Sequence, residues 1–244
     1  MRICAMLLAI AAASFGQSAR PAFEVASVKR HEPPVTSVTS KVSGPRATWT
    51  AYPMMALLME AYGMAEYQII GGPSWLNSDF YDIEAKAAGN DQLTKDQAAQ
   101  MLRGLLEERF HLTVHRESRE MQVYSLVVVK NGPKFRPSGP DAKFGVSFRS
   151  RGVAMEMTAT KWTMDRLARQ LSSDQGYKVT NMTGLGGDYD FTLTYADERH
   201  IAAADADAPS IFGALQEQLG LKLETQKQAV ETLVIDHADR PSQN

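Results

Sequence analysis

The sequence predicts an α+β protein made of two tandem pseudo-repeated domains, each a small mixed β-sheet covered by two amphipathic helices. Three observations predict it. A central loop occurs twice: Gly71-Gly72-Pro73-Ser74-Trp75-Leu76-Asn77-Ser78-Asp79-Phe80-Tyr81-Asp82-Ile83 is matched by Asn181-Met182-Thr183-Gly184-Leu185-Gly186-Gly187-Asp188-Tyr189-Asp190-Phe191. Each is a turn-forming cluster that carries a Leu and releases an aromatic-Asp-apolar strand. The match extends outward with a period near 110 residues, which indicates domain duplication rather than a solenoid. Thr48-Trp49-Thr50 falls on Thr158-Ala159-Thr160, Leu57 on Leu167, Tyr67 on Tyr177, and Phe110, Leu112 and Val114 on Leu219, Leu221 and Leu223. Finally, apolar periodicity switches between two and 3.6 in the same order in both halves.

Composition sets the frame. With 244 residues, 44% hydrophobic and 22% charged, the chain is long enough for two small domains with a packed core. A net charge of −2 excludes the dense basic surface that sequence-independent nucleic-acid binding needs. Residues 1–19 read as a secretory signal peptide: Arg2 supplies the positive start, Ile3 to Ala13 the apolar run, and Ser14 to Ala19 the small residues before cleavage. The expected location is exported, periplasmic or secreted. The single cysteine, Cys4, leaves with the signal, so the expected mature chain has no disulfide and no Cys-based metal site. No later run reaches transmembrane length.

The first repeat is expected over 20–130. Phe23 to Val28 alternates as a half-buried strand, and Glu32 to Pro45 is a loop. Arg46 to Tyr52 is a strand; Pro53 then opens a helix to Tyr62. Tyr67 to Ile70 and Phe80 to Ala87 are strands about the central loop. Thr94 and Gln97 form a capping box for a helix whose buried stripe is Ala98, Met101, Leu102, Leu105, Leu106 and Phe110. Leu112 to Arg116 and Val123 to Val129 are expected to close the repeat as a hairpin. Residues 131–143, rich in Gly and Pro, read as a linker.

The second repeat is expected over 144–240, with 241–244 a tail. Phe144 to Arg149 and Val153 to Thr158 make a hairpin around Gly152, and Thr163 caps a helix from Met164 to Ser172. Tyr177 to Val179 and Tyr189 to Tyr195 are strands, and Asp197 to Ala208 is a polar connection. Pro209 opens a helix ending near Leu219, with Gly220 as a left-handed cap. Leu221 to Leu223 and Glu231 to Ile235 make the last hairpin, and the chain frays after Asp239.

Certain motifs resemble known families. Phe-Glu-Val-Ala-Ser-Val-Lys at 23–29, Gly71-Gly72-Pro73-x-Trp75-Leu76, Thr183-Gly184-Leu185-x-Gly187-x-Tyr189-Asp190-Phe191 and the run Leu215 to Glu224 resemble the soil-associated protein family expanded in Acidobacteria. That resemblance implies a domain of unknown function; some members follow a BlaR-type membrane metallopeptidase domain, which would suit sensing, and this sequence carries no such portion. Each half also loosely resembles the short N-terminal domain of secretins and TonB-dependent receptors.

No catalytic pattern is present. His111 and His115 sit where a helix gives way to a strand, about 13 Å apart at strand rise, too far to share a metal. His111 aligns with Gly220 and reads instead as a left-handed cap. The glycine loops lack the Lys-Ser/Thr and the following helix of a phosphate loop. Turn and strand aspartates account for Asp79, Asp82, Asp188 and Asp190. Among aromatic residues, Trp75 has no aromatic counterpart at its aligned position, Gly184.

The ligand-binding candidates are therefore Trp75, Tyr81, Asp82, Tyr189 and Asp190, with no catalytic residue, metal or cofactor assigned. The leading expectation is an exported, non-enzymatic binding or sensing module for an unknown small molecule or envelope protein, acting through a surface between the copies. The alternatives are an extracellular hydrolase using loop Asp and His residues, and an adaptor of an envelope secretion or uptake apparatus that engages its partner through an exposed sheet edge.

Overall fold

A computed structural model describes residues 21–152, 154–196 and 208–242. The signal-peptide expectation, Cys4, and nearly all of the 197–208 connection lie outside the described residues. The order is β1 (Phe23–Arg30), β2 (Thr39–Ser43), β3 (Arg46–Pro53), α1 (Met54–Tyr62), β4 (Ile69–Gly71), β5 (Phe80–Ala87), α2 (Lys95–Arg109), β6 (Thr113–Val128), β7 (Arg136–Pro137), β8 (Gly145–Arg151), β9 (Ala154–Trp162), α3 (Met164–Gln175), β10 (Val179–Asn181), β11 (Tyr189–Ala196), α4 (Ile211–Ala214) and β12 (Leu221–His237). Single 3-10 turns occupy Glu66–Gln68 and Ser74–Asn77, and a π turn over Leu215–Leu219 continues α4 to Gly220. The fold is a mixed α/β arrangement. No helix among the described residues is long and apolar enough to cross a membrane.

Local signals act as the sequence predicts at several helix ends. Pro53 stands at the N-cap of α1, and Gly63 ends it in the left-handed region, donating to the Met59 carbonyl. Thr94 accepts from the Gln97 N–H while the Gln97 side chain accepts from the Thr94 N–H, the reciprocal capping box of α2. Thr163 caps α3, which runs on to Gln175 and stops at left-handed Gly176. His111 has φ +46° and Gly220 φ +66°, the paired left-handed positions expected after the second helix of each half.

The sheets correct the expected design. Instead of one mixed sheet per half there are three four-stranded sheets, ordered β1-β5-β3-β2, β10-β6-β12-β4 and β7-β11-β9-β8. Every pairing in the first and third is antiparallel. The second is the mixed one, and both halves build it. Neither expected closing hairpin exists: β6 and β12 are single strands of 16 and 17 residues, paired antiparallel from Thr113–His237 to Val128–Leu221. β4 adds parallel to the C-terminal end of β12, and β10 adds parallel to the C-terminal end of β6. Two segments read as loop or linker, β2 and β7, are strands.

Two cores result. One holds Trp49, Tyr81, Ile83, α1 and α2 together with Leu233 and Ile235 from the last strand. The other holds Met157, Phe191, Leu193, α3 and α4 together with Leu126 from β6. Each half therefore completes the other's core. The expected fraying after Asp239 is also corrected: Ala238 is buried, the Asp239 N–H donates to the Phe110 carbonyl at 2.7 Å, and Arg240 binds Asp79.

Candidate functional site

The five sequence candidates do not converge on one place. Trp75 and Tyr81 lie in the first core around Phe110, which stacks on Trp75 at 6.4 Å and meets Tyr81 edge-on at 4.9 Å. Burial, with the nearby Asp79 charge, pushes the Tyr81 hydroxyl up to about 12. Asp82 accepts the Ala51 N–H at 2.7 Å and pairs with His31 Nδ1 at 2.9 Å. Asp190 accepts the Lys161 N–H at 3.0 Å and the Ser138 hydroxyl at 2.5 Å. Ala51 and Lys161 both have positive φ, +47° and +58°. The two aspartates thus occupy equivalent roles, each holding a strained backbone residue of the neighbouring strand. Tyr189 donates to the Gly186 carbonyl at 2.7 Å and packs edge-on against Phe135.

Asp79 is the buried carboxylate, 3% exposed. Arg240 Nε reaches it at 2.7 Å and an Arg30 guanidinium nitrogen at 3.2 Å, while Arg240 also lies over the Trp75 ring at 5.4 Å. Burial alone would raise its pKa; the Arg240 hydrogen bond and both arginine charges outweigh that and hold it below the usual carboxylate range. It is a clasp between the central loop of the first half and the end of the chain.

Three further histidines pair with two carboxylates. His115 meets Asp236 at 2.9 Å, and His111 and His237 approach Asp239 at 3.4 and 3.1 Å. Among the described residues, no group of three or more His, Cys, Asp or Glu side chains converges as a metal-ligand set.

A groove at the junction of the halves has the features of a binding site. Its 370 Å³ are lined by Met59, Ala65, Glu66 and Tyr67 from the first half and by Arg169, Ser172, Ser173, Gly176, Lys178 and Val179 from the second. The C-terminal turn of α3 forms one wall. Ser172 fixes that wall to β10, donating to the Ala168 carbonyl at 2.8 Å and accepting the Val179 N–H at 2.9 Å. Lys178 is anchored by Gln228 at 3.1 Å. Burial raises the Tyr67 hydroxyl. Arg169 makes no ion pair or hydrogen bond with its side chain among the described residues, and it also borders a second hollow of 330 Å³ with Trp162, Arg166, Gln170 and Ser173. The lining thus offers two cations against one carboxylate, Glu66, on a mostly apolar floor.

None of these lining residues is among the five candidates expected from the sequence. The alignment of Tyr67 with Tyr177 was the one available signal; an unpaired arginine on a helix flank carries no local pattern.

No curated protein and no solved structure matches the chain. Residues 55–238 match a family described as a protein of unknown function, DUF3738. That match takes in the junction groove, both long strands and all four helices but the first residue of α1, so the chain belongs to the DUF3738 family.

Proposed function

We propose that the protein is an exported, non-enzymatic binding or sensing module built from two copies of one α+β unit, and that it binds a small anionic ligand in the groove where the copies meet. The copy reading is supported by three correspondences: the strand orders β1-β5-β3-β2 and β7-β11-β9-β8, the aspartate holding a positive-φ residue in each half, and the reciprocal addition of β4 and β10 to the shared strands. The motifs quoted above resemble the soil-associated family expanded in Acidobacteria.

The observation that carries the binding reading is the unpaired Arg169 beside Lys178 in a groove walled by both halves. Arginine's planar fork suits carboxylate or phosphate. A thermal-shift screen against cell-wall fragments, sugars, carboxylic and phosphorylated metabolites tests it. A ligand at a hundred times its dissociation constant stabilises by about 2.7 kcal/mol. The expected hit loses its shift in Arg169→Ala and Lys178→Ala. A hit indifferent to both substitutions, or one that is turned over, would overturn the reading.

A further inference from the structure

Among the described residues, strand β8 is the edge of the third sheet, paired only with β9. In its register Phe148 lies opposite Met157 and Val146 opposite Ala159, and both partners are buried in the second core. Side chains two apart share a face, so Phe144, Val146 and Phe148 project from the core-facing side of the sheet. They are nonetheless 55%, 39% and 43% exposed. The reason is coverage. α3 lays Leu167, Ala168 and Leu171 into the cluster with Met157 and Phe191, and no member of the β8 row joins it. In the first sheet the corresponding edge strand, β2, packs Val42 against its core. The uncovered row continues into the hollow beside α3, where Phe144 stacks parallel to Trp162 and Arg166 lies 4.3 Å over the Phe144 ring.

An apolar row on an open edge offers both unpaired backbone groups and surface to cover. Charge decides what covers it. The segment Lys143–Ser150 carries Lys143 and Arg149 and no carboxylate, with Glu156 opposite Arg149 on β9. The Arg166 guanidinium has no carboxylate partner among the described residues. A second copy would bring like charges together across the new strand pair, which is destabilising. An acidic strand would not.

We propose that β8 is a strand-addition site for an extended acidic segment of a partner polypeptide, its apolar side chains covering Phe144, Val146 and Phe148 and its carboxylates meeting Arg166. The hollow at its end shares Arg169 and Ser173 with the junction groove, but the proposal does not depend on a ligand there.

The test is fluorescence anisotropy of the purified protein with a labelled decapeptide alternating valine and glutamate. Controls are the valine-lysine peptide and a valine-glutamate peptide N-methylated at alternate residues. The acidic peptide is expected to bind at least about tenfold more tightly than either control, a difference of about 1.4 kcal/mol. Arg166→Glu and Phe148→Thr are each expected to weaken it by a similar factor. Both sites are exposed, and unchanged circular dichroism confirms folding; Val146→Thr serves if either variant misfolds. Equal binding of the lysine peptide, indifference to N-methylation, wild-type affinity in the variants, or no binding at millimolar peptide would each overturn the proposal. So would sedimentation showing a homodimer that Phe148→Thr dissolves, which would make the occupant a second copy.

Discussion

Asp82 holds Ala51: the carboxylate accepts the Ala51 N–H at 2.7 Å, and Ala51 is buried with φ +47°. Removing the acceptor leaves a buried donor unsatisfied at a strained residue. Asp82→Ala is expected to destabilise by about 1–3 kcal/mol, and Asp82→Asn, which keeps an acceptor oxygen, by less. Asp190→Ala should behave likewise through Lys161. Urea midpoints at constant slope check this, and a cost near zero at both sites would remove the strain-holding role.

Acid should unfold the protein through its aspartates. Asp79, Asp82, Asp190 and Asp239 all have folded-state pKa values below their ordinary ones. The unfolded state therefore takes up protons first as pH falls. The stability these groups supply is complete above about pH 4 and is lost as pH drops through their folded values. In Arg240→Ala, burial at Asp79 is opposed by less positive charge, so its folded pKa rises towards the unfolded value and the variant, less stable at neutral pH, should lose less melting temperature below about pH 4 than wild type does. His115 works in the opposite direction: Asp236 raises its pKa, so its contribution is present below about 6.5 and disappears as pH rises through the folded value.

Two glycines with the same backbone should respond differently to alanine. Gly63 and Gly220 have φ +64° and +66°, but a Cβ at Gly63 meets nothing within 4 Å, while one at Gly220 would stand 2.3 Å from the Gly132 carbonyl oxygen. Gly63→Ala should cost about 1–2 kcal/mol, the left-handed penalty alone. Gly220→Ala should cost more, because backbone must move as well. Equal losses in chemical denaturation would contradict the close approach.

Much of the fold was legible because its signals are local. Phe80 to Ala87 alternates along its whole length, and Thr94 with Gln97 announces α2. The long strands were not. Glu117 to Gln122 and Thr225 to Gln228 are polar but for Met121 and read as turns; they are strands because Glu117 to Gln122 pair with Lys227 to Thr232, and Thr225 to Gln228 with Met121 to Tyr124, across more than a hundred residues. β7 hid among Ser and Pro because its partner is the distant β11, and β2 because its Ser and Thr residues disguised a local hairpin with β3. The candidate site was not legible residue by residue. Its cations, Arg169 and Lys178, gain meaning from α1 and Tyr67 across the junction, which no local pattern encodes.

Neither half should fold alone. Residues 20–130 lack Leu233 and Ile235, which close the first core, and residues 131–244 lack Leu126 in the second. Each deletion resembles large-to-small core substitutions, at about 2–5 kcal/mol per side chain. The expected result is that each fragment shows poor amide-exchange protection and that mixing them restores it. A protected, cooperatively melting single fragment would refute this.

The crossed strands also bear on biosynthesis. A growing chain cannot finish its first core when residue 130 has emerged, because the strand that closes it, β12, follows only after the whole second half. Completion waits for β12, so folding is a single late event with a large loop-closure cost. A polypeptide of this design stays threadable until that strand has emerged and commits to structure only then.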